Sequence, residues 1–229
     1  MVNINYSSIK QKLSEQLSNS GWDIVDRYLF SDEFKNTLEH LVGEVNDSKR
    51  FTPKIKNVFR AFKECHHDNL KVVIMAQDPY PTLGVADGLA FSSSLKKEET
   101  IALKTMFDEL EKQDNTYVRN PDLTRWAAQG VLLTYVSFTT QLNTIGSHHN
   151  LWKGFVKDLV IYMNDNMEDI VFVFMGEEAN KFSAYINKHP ALYCSLPSSV
   201  IFREKWKSND IFNSINNKLK KFNKDEIVW

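Results

Sequence analysis

The sequence predicts an α/β fold of three layers, with helices covering both faces of a central, mostly parallel sheet. Three observations carry this reading. A continuous apolar run, Val72-Val73-Ile74-Met75-Ala76, is β-branched at its start and is cut off by polar residues and a proline, as in a strand buried on both faces. Similar runs recur at Val131–Tyr135 and Ile170–Met175. Between the runs the apolar spacing becomes helical, through Leu103, Met106, Phe107 and Leu110 and then from Trp152 to Met163.

A length of 229 residues suits one domain, residues 1–229, whose first part, 1–50, reads as helical. Hydrophobic residues at 42% and charged residues at 25% are enough for a substantial core in a globular protein. No apolar run approaches the roughly 20 residues of a membrane span, and the N-terminus lacks a signal-peptide core. An intracellular location with no membrane partner is therefore expected. Cys65 and Cys194 fall in separate elements and are expected as reduced thiols. The net charge is -1, from 28 basic and 29 acidic residues. Near-neutrality argues against tight, unspecific phosphate binding but allows a local basic patch.

In chain order, Ile9, Leu13 and Leu17 recur at four-residue steps and predict a helix from about Ser7 to Leu17, stopped at Ser20-Gly21. One or two amphipathic helices follow from Trp22 to Leu41, with Ser31-Asp32 as an N-cap. Residues Val45–Pro53 read as a charged loop, and Lys56–Cys65 as a short helix leading into the first strand. Cys65-His66-His67-Asp68 lacks the second ligand pair of a structural zinc site, so no metal or cofactor is expected. Glu98-Glu99 precede a helix whose dipole favours acids at its start. Gly130 caps a helix end before the Val131–Tyr135 strand. Leu192–Cys194 is a candidate short strand, and Asn209–Leu219 the last helix.

The first strand ends in Gln77-Asp78-Pro79-Tyr80-Pro81. Ligands of open parallel sheets bind beyond the carboxyl ends of the strands. Asp78, in a turn stiffened by two prolines, is a candidate for chemistry. A plain strand-to-loop turn with a capping aspartate has the same spacing.

These residues carry a resemblance. Val72–Tyr80, Gly88–Ser92 (Gly-Leu-Ala-Phe-Ser), Trp126–Leu133 and the block from Leu196 to Trp229 resemble the main uracil-DNA glycosylase family, with its Gly-Gln-Asp-Pro-Tyr-His loop. The likeness runs from about Phe51 to Trp229. It implies a uracil-DNA glycosylase-like fold with four strands, beginning near Val72, Leu89, Val131 and Ile170. It also implies DNA as partner and hydrolysis of the N-glycosidic bond of a flipped-out base. Such a reaction puts positive charge on the sugar and negative charge on the departing base. It therefore needs a carboxylate to orient water and a donor for the base.

The resemblance makes Asp78 the water-orienting carboxylate. Gln77 contacts the base through its backbone, Tyr80 stands against C5 of the base and Phe91 stacks on the ring. Two expected groups are replaced. Tyr135 stands where the family reads the pyrimidine edge with Asn, whose amide offers a donor and an acceptor together. Leu196, followed by Pro197-Ser198, stands where the family's His meets the charge on the leaving base. His189 and His148 are poor substitutes by position. Among the DNA-contact loops, Ser147-His148 match a family pair. Gly176-Glu177 replace a phosphate-gripping Gly-Ser, and Val200 replaces the minor-groove wedge leucine. Pro81 replaces the His that ends the family loop. With Glu98, Glu99 and Glu177 at phosphate positions, DNA affinity is expected to be modest and its salt slope shallow.

Three functions fit these residues. The first is a working DNA glycosylase, weak on uracil, with or without a changed base preference. The second is an inactive member that binds DNA or a protein partner as a scaffold. The third is a hydrolase of small molecules that uses the same Asp78.

Overall fold

A computed structural model describes residues 6–96, 99–202 and 205–229. Its helices and strands in chain order begin with α1 (Tyr6–Leu17), α2 (Asp23–Leu29), α3 (Asp32–Asn46), β1 (Phe51–Thr52), α4 (Arg60–Glu64), β2 (Val72–Ala76) and α5 (Ile101–Gln113). They continue with α6 (Thr124–Ala127), β3 (Val131–Tyr135), β4 (Thr140–Gln141), α7 (His149–Asn166), β5 (Val171–Met175), α8 (Glu177–Asn180), β6 (Ala191–Cys194) and α9 (Ile211–Lys221).

The main sheet has the order β3-β2-β5-β6, and every neighbouring pair is parallel. All residues of β2, β3 and β5 are buried, as their unbroken apolar runs require. The chain leaves β2 toward β3 and leaves β5 in the opposite direction, toward β6. Right-handed crossovers then place the connecting helices on opposite faces. A crevice opens where the direction reverses, beyond the carboxyl ends of β2 and β5.

The strand expected near Leu89 does not form; the fourth strand is β6, from Ala191 to Cys194. The cause is local. The buried Asp87 carboxylate accepts from the Leu89 and Ser94 backbone N–H groups (3.0 and 2.9 Å) and from the Ser92 hydroxyl (2.6 Å). Gly88, at φ +99°, brings the chain so close to Asn57 that a Cβ would lie 2.0 Å from its carbonyl oxygen. Among the described residues, one backbone hydrogen bond to β3 remains there, from Ala90 N to Leu133 O. The charged loop expected over Val45–Pro53 also differs. Val45 and Asn46 complete α3, and Phe51–Thr52 pair antiparallel with Thr140–Gln141.

The N-terminal helices pack on the same core as the sheet. The Ser31 hydroxyl caps α3 by accepting from Phe34 N at 3.1 Å. Tyr28 stacks on Phe155 of α7 with ring centroids 4.0 Å apart, and Trp22 packs edge-on to Phe62 at 5.2 Å. A second aromatic group joins Trp126, Phe212 of α9 and the last residue, Trp229. Cys65 and Cys194 are free and buried. No helix of the described residues is long and apolar enough to cross a membrane.

Candidate active site

The crevice beyond β2 and β5 contains a cleft of about 240 Å³. Gln77, Asp78, Tyr80 and Phe91 line one side of it, and Leu196, Ser198 and Ile201 line the other. The turn after β2 is pinned to the chain after β3: Ala76 O accepts from Val136 N (2.8 Å) and Gln77 O from Ser137 N (3.2 Å). This holds Asp78 at the mouth of the sheet with its side chain 4% exposed. Its Oδ2 accepts from His149 Nε2 at 3.0 Å. Its Oδ1 is buried and has no partner among the described residues. A buried acceptor left unpaired costs about 1–3 kcal/mol, so this oxygen suits a donor that arrives in the cleft, such as water. The hydrogen bond to Asp78 is the main reason why the His149 imidazole holds its proton above the usual histidine range, against partial burial.

Phe91 and Tyr80 are held as one unit. Phe91 has φ 68°, a left-handed conformation that is strained for a bulky residue. Two things enforce it. The Tyr80 hydroxyl donates to Phe91 O at 2.7 Å, and the Asp87 cage fixes the chain on either side. Tyr80 also meets Thr100 Oγ1 at 2.6 Å, and Thr100 caps α5 through Leu103 N. Burial keeps the Tyr80 phenol protonated. Arg60 closes the cage from outside, 3.0 Å from Asp87 Oδ2.

The remaining expected positions present few free polar groups to the cleft. Tyr135 is buried behind the cleft rather than lining it, and its hydroxyl donates to Leu89 O at 2.7 Å. Burial, reinforced by the negative charge of Asp87, holds this phenol far above its usual range, so it is a neutral donor already in use. Leu196 lies directly on Gly176, where a Cβ would come within 2.5 Å of Leu196 Cγ. Gly176 itself has φ +91° and opens α8. Pro197, Ser198 and Val200 belong to a 3-10 turn from Pro197 to Phe202. The apolar residue that stands out at the cleft mouth is Ile201, 55% exposed, rather than Val200. Val200 is half-buried and turns toward a groove along α5.

Other expected contacts are engaged elsewhere. His148 is buried, not on a DNA-facing surface, and forms part of a relay. Trp152 Nε1 donates to Thr139 Oγ1 (2.7 Å), Thr139 meets His148 Nδ1 (2.8 Å) and His148 Nε2 meets Glu44 Oε2 (3.0 Å). The Gln141 amide donates to the other Glu44 oxygen. Burial lowers the proton affinity of His148 against the pull of Glu44, consistent with a neutral ring that accepts from Thr139 and donates to Glu44. His40, Glu44 and His148 form the one described group of potential metal ligands, remote in sequence from Cys65–Asp68, and these hydrogen bonds occupy its two buried members. Ser147 is exposed, but its hydroxyl accepts from Gln141 N at 2.8 Å within its own loop. Glu177 is exposed at the start of α8. Glu99 is not a bare charge: Arg119 Nη1 lies 3.0 Å from it. Glu98 lies outside the described residues. His189 precedes β6, at the end of the sheet opposite Leu196.

Nothing local in the sequence marks His149, which lies 71 positions from Asp78 and enters the site only through the crossover into α7. Asp87 and Arg60 were equally silent; the only trace of Asp87 is an acid beside a glycine in an apolar stretch.

No family model matches the chain. A curated relative from Aliarcobacter butzleri, named uracil-DNA glycosylase, is 36% identical over 184 residues, covering 77% of this chain and 85% of the relative. Another of that name, from Mycoplasmopsis pulmonis, is 34% identical over 200 residues, covering 86% and 90%. The crystal structure of mimivirus uracil-DNA glycosylase superposes with a TM-score of 0.84 at 27% identity, covering 97% of this chain and 91% of that one. A variant of the mimivirus protein, solved in complex with UGI, gives a TM-score of 0.85.

Proposed function

Because the chain belongs to the uracil-DNA glycosylase family, we propose that it hydrolyses the N-glycosidic bond of a base flipped out of DNA into the Asp78 cleft, and that it acts weakly on uracil. The observation that carries this reading is the Asp78 carboxylate, anchored through Oδ2 and unpaired at Oδ1 beside Phe91 and Tyr80. Oδ1 orients the attacking water and faces the positive charge that develops on the sugar. Phe91 stacks on the extruded ring. Tyr80 limits its size at C5, and the backbone of Gln77 contacts its edge.

The weakness comes from the departing base. Leu196 offers no donor to its developing negative charge, and the loss of one such donor costs about 10²–10³ in rate. The Tyr135 hydroxyl is spent on Leu89 and cannot offer the paired donor and acceptor of an amide. The base accepted is uracil or a modified pyrimidine. That filled position also favours a second reading, an inactive glycosylase-fold protein that binds DNA or a protein partner. A relative's structure in complex with UGI makes a protein partner a reasonable reading here too.

A gel assay of base release from single- and double-stranded uracil DNA separates the two. Release at least about a hundredfold below that of the Aliarcobacter relative, and absent in Asp78→Asn, is expected. No release at any enzyme concentration favours the scaffold, and release at the relative's full rate refutes the assignment of Tyr135 and Leu196.

A further inference from the structure

A second cleft, of about 360 Å³, lies against the first. Its lining includes His149, Asn150, Lys153, Lys157, Lys181 and Tyr185. His149 links the two: its ring lines this cleft while its Nε2 holds Asp78, which lines the other, at 3.0 Å. An occupant here is therefore one side chain away from the reacting carboxylate.

The charges of this cleft do not cancel. Lys181 is neutralised by both Glu178 oxygens at 2.7 Å, and His149, when protonated, is offset by Asp78. Lys153 and Lys157 remain, one turn apart on α7. Among the described residues neither has a carboxylate within ion-pair distance. Like charges at this spacing repel by about 0.2–0.5 kcal/mol, and a solvated helix face normally relieves this with an interleaved acid. Here the other positions three and four residues away are His149, Asn150, Gly154, Val156, Val160 and Ile161, none of them acidic. Tyr185 adds a ring that is 37% exposed, with Lys157 Nζ 5.8 Å from its centroid. Unpaired lysines beside an exposed aromatic ring are the components of a site for single-stranded nucleic acid, one gripping phosphates and the other stacking a base.

We propose that this cleft binds the phosphodiester backbone of the strand that carries the extruded nucleotide, with Lys153 and Lys157 on phosphates and Tyr185 under a neighbouring base. The identity of the strand rests on the glycosylase reading; the anion chemistry does not. The backbone grip thus moves from the positions of Glu99 and Glu177 to the far side of His149. With two phosphate contacts from this cleft, the overall salt slope stays shallow.

The test uses the full chain and a short fluorescein-labelled DNA strand without uracil, followed by fluorescence anisotropy at two salt concentrations. Lys153→Glu with Lys157→Glu is expected to weaken binding about tenfold at low salt and to reduce the salt slope by about 1.4, two contacts at about 0.7 each. Tyr185→Ala is expected to weaken binding about fivefold at both salts without changing the slope. The charge-matched pair Lys12→Glu with Lys49→Glu, away from the cleft, is expected to change little. Equal losses in the two double variants, or none in the first, overturn the site. So does displacement of the strand by inorganic phosphate or thymidine monophosphate at concentrations too low to act as salt, which would assign the cleft to a free phosphate. Because the strand holds no uracil, binding is read apart from excision. Binding lost as expected with no base release sinks only the glycosylase chemistry, and robust release with an unchanged slope sinks only this cleft.

Discussion

On one side of the Asp78 cleft, the carboxylate keeps one oxygen on His149 and the other free, while Tyr80, Thr100 and the Asp87 cage hold Phe91 in a strained backbone conformation. The two positions expected to meet the leaving base differ: the Tyr135 hydroxyl is committed to Leu89, behind the Phe91 segment, and across the cleft Leu196 lays its methyl groups against Gly176. In the proposed reaction the first group takes the water, the sugar and the face of the base, and the second would meet the base's reading edge and its developing charge. The first keeps its polar groups available, as chemistry requires, and bears the strain that a packed wall has no use for. The second has its polar groups satisfied, as a stable wall does. The contrast ties any loss of activity to departure of the base rather than to attack on the sugar.

The largest effect is expected at Asp78. Asp78→Asn keeps the shape and removes the charge, and residual base release should fall by about 10²–10⁴-fold. A single-turnover assay reads this, and unchanged release would mean that the unpaired oxygen is not the group orienting water. The converse change acts on the other side. Tyr135→Asn with Leu196→His restores an edge reader and a donor, and should raise uracil release by about 10²–10³-fold. The gain need not be the sum of the single changes, because both groups act on the same base. No gain in a variant that still folds would place the defect in the grip on DNA instead.

The fold was legible where one physical rule acts alone. Continuous burial on both faces produces the apolar runs of β2, β3 and β5, and those runs were readable. The stretch after Gly88 was expected as a strand from the resemblance, and the apolar Leu89-Ala90-Phe91 gave no sign against it. What bends it is a buried carboxylate two residues earlier, acting through hydrogen bonds that leave no periodic trace. β6 is an edge strand with only Cys194 buried, so its pattern is weak. In the site, Asp78 and Tyr80 could be singled out because one loop carries them two residues apart, and Phe91, eleven residues after Tyr80, only through the resemblance. The partners of Asp78 and His148 lie 71 and 104 positions away, and only the sheet order brings them together. His148 and His149 show the limit most directly. They are adjacent in sequence, and one ring is buried against Glu44 while the next meets Asp78.

A smaller effect separates packing from chemistry on the Tyr135 side. Tyr135→Phe removes the hydroxyl and leaves the Leu89 carbonyl without this donor, at a cost of about 1–3 kcal/mol. Urea unfolding should show a lower midpoint with an unchanged slope, and weak base release should stay as it was. Lost activity at full stability would reverse the contrast and make the hydroxyl part of the reaction.

The smallest effect distinguishes the two sides by pH. The folded-state proton affinity of His149 is raised, chiefly by its hydrogen bond to Asp78. A group of this kind adds stability that is fully present below its unfolded value, about 6.5, and that is lost as pH rises through the folded value. The groups facing the ring are Asp78 from the loop after β2, Glu178 from α8, Lys181 just beyond it and the lysines of its own helix; of these, the two carboxylates favour the proton and Lys181 opposes it. The imidazole side chain is 22% exposed, so solvent screening holds the contribution to about 1 kcal/mol or less. The stability gap between the unmodified chain and His149→Asn should therefore be widest near about pH 6 and narrow toward about pH 9. In an Asp78→Asn background the same comparison should lose most of its pH dependence, because the main cause of the shift is gone. Leu196→Ala, on the other side, should shift stability equally at every pH in that range, since no titrating group is removed there. A gap that stays flat or widens with pH would mean that Asp78 and His149 are not coupled as charges, and the free Asp78 oxygen would then have to be explained without an anchored partner.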